Sequence, residues 1–116
     1  MKFTLFRDQS PERVEKDIAD AIVSGTPRQH AELMFSGQQD TIKSGIWEST
    51  AGVFTAVMQD QVEFCHILEG GATIRTDEGG EFTVKAGDAF VMEPGLRTRW
   101  HIRKYVRKHF VICDVR

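Results

Sequence analysis

One carboxylate in this sequence is placed to do chemistry. Glu63 opens the run Glu63-Phe-Cys-His-Ile-Leu68, whose residues favour a β-strand. If Glu63 faces a protein interior, its charge is costly to bury, its pKa rises, and it becomes a candidate general acid or base. The alternative is a structural acid paired with a cation such as Lys108 or Arg107. His66 follows three residues later, so on a regular strand it points to the opposite face. His101 and His109 fit no metal-ligand spacing and His30 falls in a loop, which makes all three surface or interface residues. Cys65 and Cys113 lie far apart, in apolar runs and in no CxxC pattern, as buried thiols do. Aromatic residues at β-positions are packing residues first, which covers Trp47, Phe54, Phe64 and Phe90. Trp100 is the exception. The alternation of a strand puts Thr98, Trp100 and Ile102 on the inner face and Arg97, Arg99 and His101 on the outer one. An inward indole near the mouth of a barrel can stack on a ligand, Thr98 can hydrogen-bond it, and Tyr105 and Lys108 reach the same mouth. Trp47 joins these candidate ligand contacts.

These side chains depend on a scaffold of short strands. Ser10-Pro11-Glu12 is a helix-start pattern, followed by Val14, Ile18, Ala21 and Ile22 at helical spacing and by Gly25 and Pro27 as stops. The spacing predicts one helix over 11–22. Residues 1–6 alternate weakly and read as a strand, one that a second copy could take up. From Ala31 the period is two. Strands are predicted over 31–35, 41–48, 53–59, 63–68, 72–76, 81–85, 89–92, 98–102 and 106–113, with breaks at Gly37, Gly45, Gly52, Gly70-Gly71, Gly79-Gly80, Gly87 and Pro94-Gly95. Asp77-Glu-Gly-Gly80 reads as a hairpin, Glu69-Gly-Gly-Ala72 as a tight turn, and Gly87-Asp88 as a turn in which the Asp side chain bonds the backbone. So many strands in 116 residues mean a sandwich, a jelly roll or a small barrel.

The composition excludes several classes. A net charge of −2 carries no nucleic-acid or anionic-membrane footprint. The one basic cluster, Arg97 to Lys108, is interleaved with Trp100, Ile102, Tyr105 and Val106 and reads as a solvated strand face. No charged-then-apolar leader opens the sequence, and no apolar run approaches the ~20 residues that span a bilayer. A reduced, cytoplasmic protein is the expectation.

In their order, Glu63, Ile67-Leu-Glu-Gly70, Gly87-Asp88 and Pro94-Gly95 resemble the two-motif core of the cupin superfamily. Gly45-Ile-Trp-Glu48, Ala51-Gly-Val-Phe54, Gly95-Leu-Arg-Thr-Arg-Trp100 and Val106-Arg-Lys-His-Phe110 are similar to the small cupins grouped with (S)-ureidoglycine aminohydrolase and the ethanolamine-utilisation cupins. The resemblance covers about 40–114. It implies an all-β, single-domain jelly-roll barrel with one short N-terminal helix, divided into an extension over 1–39 and a barrel over 40–116. It also implies that the four metal-ligand positions of the superfamily fall at Val57, Gln59, Glu63 and Thr98. Val57 cannot coordinate and Thr98 is a poor neutral ligand, so no cofactor is expected. If a divalent metal (Mn, Ni, Fe or Zn) binds, Glu63 is its place. The function this supports is a small-molecule-binding cupin in nitrogen or amine metabolism. Its pocket is built on Glu63, with Gln59, Thr98, Trp100, Lys108 and Trp47 as ligand contacts. A metal-dependent enzyme of aminohydrolase or isomerase type and a non-catalytic structural homodimer stay open beside it. A homodimer is expected on any of these readings.

Overall fold

A computed structural model describes residues 1–115. Three long strands form its spine: β4 (Ile42–Val57), β5 (Gln61–Thr76) and β8 (Arg97–Asp114). β8 lies between the other two and pairs with both along its length, from Ile42↔Cys113 to Val57↔Arg97 on one side and from Gln61↔Asp114 to Thr76↔Thr98 on the other. β3 (Gln29–Gly37) pairs on the far edge of β4, and β1 (Arg13–Lys16) lies outside β3. β2 (Ile22–Ser24) pairs with β4, while β6 (Glu81–Lys85) and β7 (Ala89–Met92) flank the two halves of β5. All pairings are antiparallel. No helix among the described residues is long and apolar enough to cross a membrane.

The sheet folds because its long strands bend at one level. The register shifts between Thr50 and Gly52 of β4, opposite Tyr105 to Ile102 of β8, and between Ile67 and Thr73 of β5, opposite Lys108 to His101. At both places Arg103 and Lys104 of β8 have no register partner, and a bulge of this kind bends the strands and increases their twist. The two walls enclose a core that includes Phe54, Met58, Cys65, Ile67, Ile74, Trp100, Ile102 and Val106.

Several boundaries differ from the expected ones. The breaks read at Gly45, Gly52 and Gly70-Gly71 do not interrupt the strands, so three pairs of predicted segments fuse into β4, β5 and β8. The turn expected over 69–72 is the bulge of β5. The helix expected over 11–22 does not form. That stretch gives β1, a 3-10 turn at Ala19–Ala21, and β2. Its apolar positions have no core to cover, since Val14 is 46% and Ile22 36% exposed. Unpaired edges of β3 and β4 offer backbone hydrogen bonds instead, and tertiary pairing overrides helix propensity. Residues 1–6 are not a strand; a 3-10 turn follows at Phe6–Asp8. The hairpin at 77–80 forms, closed by Thr76 N–H to Gly80 O at 2.9 Å. At Gly87-Asp88 the Asp side chain accepts from the Lys85 N–H at 2.9 Å.

Two glycines separate backbone strain from collision. Gly70 has φ +72°, and a Cβ there would lie 1.9 Å from the Tyr105 carbonyl oxygen; Gly79 has φ +90° and open space. Gly79→Ala should cost about 1 kcal/mol, the strain of a left-handed alanine, and Gly70→Ala about 3 kcal/mol or more. Denaturant unfolding of the two variants checks this, and equal losses would refute the collision at Gly70.

Candidate functional site

Alternation along β5 turns Glu63, Cys65 and Ile67 inward, and alternation along β8 does the same for Val106, Lys108 and Phe110. Lys108 stands directly across from Trp47 on β4 and Ile67 on β5. From there its ammonium reaches Glu63 Oε2 at 2.8 Å and Cys65 Sγ at 3.3 Å. Its Nζ also lies 4.6 Å from the ring centroid of Trp47 and 4.9 Å from that of Trp100. The indoles hold each other edge-on, with centroids 5.7 Å apart, and Phe54 stacks on Trp100 at 5.8 Å.

The side chains of Lys108 and Glu63 are only 7% and 9% exposed. Removing two such ions from water costs several kcal/mol each. Their mutual attraction offsets that cost, and two indole faces add about 2 kcal/mol of cation–π energy in a desolvated site. Burial alone would pull the Lys108 pKa down. The Glu63 charge, Cys65 and their hydrogen bonds outweigh it, so the net shift is upward and the ammonium is retained. Cys65 is pushed up to about 12, chiefly by burial and further by Glu63, against the opposing pull of Lys108. It is therefore a neutral thiol, and it donates to Glu63 Oε2 at 3.2 Å.

Glu63 Oε2 thus takes two protein donors and Oε1 takes none. No fully buried side-chain oxygen among the described residues lacks a partner, so Oε1 keeps some accessible surface, and Glu63 is one of the residues that line an open space. That space is a cavity of about 260 Å³ lined by Trp47, Phe54, Met58, Met92 and Trp100, with buried Gln29 at its edge. Lys16, Ala31, Phe110 and Ile112 are shared with an adjoining cleft of about 800 Å³ beside β1.

Four of the six expected site residues meet here: Glu63, Lys108, Trp47 and Trp100. Thr98 is buried but lines a different hollow, on the β6–β7 side. It accepts a hydrogen bond from Trp100 Nε1 at 3.1 Å and so positions the indole. Gln59 is exposed and lines the outer cleft rather than the cavity. The ligand positions placed at Val57 and Gln59 do not face Glu63. The bulge at Gly52 reverses the alternation of β4, turning Phe54 and Met58 inward where the phase of Trp47 and Ser49 would have carried Val57 and Gln59. His66 faces away from Glu63, its ring 6.3 Å from that of His109. Met58 and Gln29 were not singled out by sequence reasoning, and Cys65 was read as a buried thiol, which it is, but not as part of the site. The two-residue spacing of Glu63 and Cys65 on a strand was the available signal for that role.

The donors present do not fit a divalent cation. An ammonium occupies the carboxylate, the nearest sulfur is a protonated thiol, and the other walls are indole, phenyl, thioether and aliphatic groups, with one neutral amide, Gln29, and a second ammonium, Lys16. No group of three His, Cys, Asp or Glu side chains among the described residues could hold a metal ion.

The family model of the EutQ-like cupin domain matches residues 36–110. Among solved structures, the EutQ protein of Clostridium difficile superimposes with a TM-score of 0.67 at 15% identity, over 78% of this chain and 65% of that one. A protein of unknown function of the DUF861 family from Pseudomonas syringae pv. tomato gives 0.74 at 23% identity, over 89% and 43%. A DUF861-family protein from Thermotoga maritima gives 0.53 at 37% identity, over 56% and 73%. The chain therefore spans less than two thirds of the first two proteins. No curated protein matches the sequence.

Removing one partner of a buried pair leaves an uncompensated charge. Lys108→Met should destabilise the fold by about 3–5 kcal/mol, and Glu63→Gln in the same chain should restore part of it. Alkaline pH gives a second check. Cys65 ionises at 9.0 when unfolded and at about 12 in the fold, so it contributes stability that is complete below pH 9 and lost as pH rises towards 12. The upward shift of Lys108 acts in the same direction. Unfolding free energy should fall across that window, and less steeply in Cys65→Ala.

Proposed function

The chain belongs to the EutQ-like cupin domain family, and on that premise we propose that it binds a small molecule in the cavity at Glu63. The observation that carries this reading is the divided carboxylate: one oxygen held by Lys108 and Cys65, the other turned to a cavity walled by two indoles. The Lys108 ammonium is already engaged by Glu63, Cys65 and two ring faces. Beside the two indoles the polar group left for a ligand is the Glu63 carboxylate, an acceptor, with the Gln29 amide and Lys16 further round the lining, so the ligand presents an N–H or O–H donor and lays an apolar or flat body against Trp47 and Trp100. Lys108 already neutralises Glu63. A cationic ligand would bury a net positive charge, whereas a neutral donor would not. The ligand is thus an amide, ureide or alcohol rather than an ammonium compound, which narrows an amine or nitrogen-metabolism role to its uncharged members. At about 260 Å³ the cavity lies below the ~300 Å³ at which drug-sized sites begin. A metabolite of few atoms fits it. A metal-dependent aminohydrolase or isomerase reading loses its ligand set to Lys108 and to the reversed phase of β4.

We also propose that the protein pairs with a second copy through the outer face of β5 and β7. Phe64 and Val91 lie directly opposite each other there and are 43% and 57% exposed. Apolar pairs of this kind are normally covered, and symmetric dimers cover them with the same patch.

Titration of small ureides, carboxamides and alcohols against matched ammonium compounds, read by tryptophan fluorescence, tests the ligand reading. Neutral donors should bind, and Glu63→Gln or Trp100→Ala should weaken them roughly tenfold or more. Preference for the ammonium series, or unchanged affinity in both variants, would sink it. For the dimer, light scattering should give twice 13.2 kDa for the wild type, and Phe64→Glu with Val91→Glu should give the monomer mass.

A further inference from the structure

The outer face of the same strands carries a second constellation, independent of the Glu63 cavity. The alternation of β8 that turns Thr98, Trp100 and Ile102 inward exposes Arg97, Arg99, His101 and Arg103. Arg99 stands directly opposite Arg75 of β5, and His101 opposite Thr73. On the other flank His101 faces Val53 of β4, against which Ser24 of β2 is paired. Arg75, Arg99, His101, Thr73 and Ser24 line one hollow of about 210 Å³, with Val23 and Val53 as its apolar wall.

Two guanidinium-bearing residues in directly opposed positions have Cβ atoms about 5 Å apart, and like charges so placed destabilise a sheet. Arg75 is partly compensated, its Nε donating to Glu81 at 2.7 Å. Arg99 has no carboxylate within ion-pairing distance among the described residues. Two arginines against one glutamate leave a charge of +1 at the hollow, in a chain whose net charge is −2. The remaining polar groups are an imidazole and two hydroxyls, all able to donate. Thr73 shares its hydroxyl with Thr83 at 3.4 Å, and none of these groups is an anion, so the hollow holds an excess of positive charge with no protein carboxylate left to match it.

We propose that this hollow binds the phosphoryl group of a small molecule. Planar guanidinium forks from two adjacent strands can each take a pair of oxygens, and hydroxyls and imidazole approach from the remaining sides. A tetrahedral oxyanion can accept from all of them, whereas the two oxygens of a carboxylate cannot. The bound anion would also remove the repulsion between Arg75 and Arg99. A hollow of this size, on a chain of net negative charge, fits one phosphoryl group rather than the backbone of a nucleic acid.

The test is a titration of the full chain with sodium phosphate against sodium chloride at matched ionic strength, followed by amide NMR and by melting temperature. Phosphate should shift the amides of Ser24, Thr73, Arg75 and Arg99 saturably and raise the melting temperature; chloride should do neither. Arg99→Gln and Arg75→Gln should each weaken phosphate binding about tenfold or more. Arg103→Gln, which removes the same charge outside the hollow, should leave it unchanged. In chloride, Arg99→Gln should melt no lower than the wild type, because it relieves a repulsion. Indistinguishable responses to phosphate and chloride would overturn the proposal, as would equal losses in Arg99→Gln and Arg103→Gln. So would affinity for single-stranded DNA that rises with its length beyond that for phosphate. Ligand binding at Glu63 should persist in Arg99→Gln, so the two sites stand or fall separately.

Discussion

The buried pair of Lys108 and Glu63 couples the three long strands to one another. Lys108 comes from β8, Glu63 from β5, and one of the two indoles that hold the ammonium, Trp47, comes from β4. A slip of β8 by one residue would bring Arg107 or His109 to this position and turn Lys108 outward. Glu63 would then lose the ammonium that the indoles hold against it, and only the slip that brings in Arg107 would return a full cation. The cost of that outcome makes the pair a register lock as well as a binding feature. It also sets the character of the cavity. With the positive charge consumed internally, what faces the open space is a single carboxylate oxygen framed by aromatic rings.

Such a site needs a sheet that closes on itself, and the bulges at Gly52 and Gly70 supply the curvature. They also do something that their bending alone does not convey. In β4 the inward residues are Trp47 and Ser49 before the register shift and Phe54 after it, a phase that Met58 continues just beyond the strand. In β5 they are Glu63, Cys65 and Ile67 before, and Ala72 and Ile74 after. Each bulge reverses which set faces the core. β8 keeps one phase from Thr98 to Phe110, which is why a single strand supplies Trp100 and Lys108 to the inside and an arginine-rich row to the outside.

That unbroken phase makes one element do two jobs. The inner positions of β8 build a neutral, aromatic cavity. Its outer positions build a basic surface whose Arg99 is set against another arginine rather than against an acid. Charge at the two sites is handled in opposite ways. Inside, desolvation demands that every ion be matched; outside, water screens the repulsion and leaves the guanidinium groups open to an anion.

Much of this was legible in the residues. The two-residue period, the hairpin at 77–80, the turn at Gly87-Asp88 and strands β6 and β7 followed from local chemistry, which acts over a few neighbours. The inward direction of Thr98, Trp100 and Ile102 followed as well, because β8 keeps one inward phase across its unpaired residues 103–104. Glu63 stood out because an acid in an apolar strand is conspicuous, and both Lys108 and Arg107 were named as partners. Only the tertiary structure chose between them, since the choice depends on how β8 registers against β4 and β5. The same holds for Gln59 and Val57, which a bulge turned outward, and for residues 11–22, where open sheet edges displaced a helix. Local sequence encodes the period of a strand. Its phase relative to distant strands is a property of their pairing, and no stretch of the sequence carries that alone.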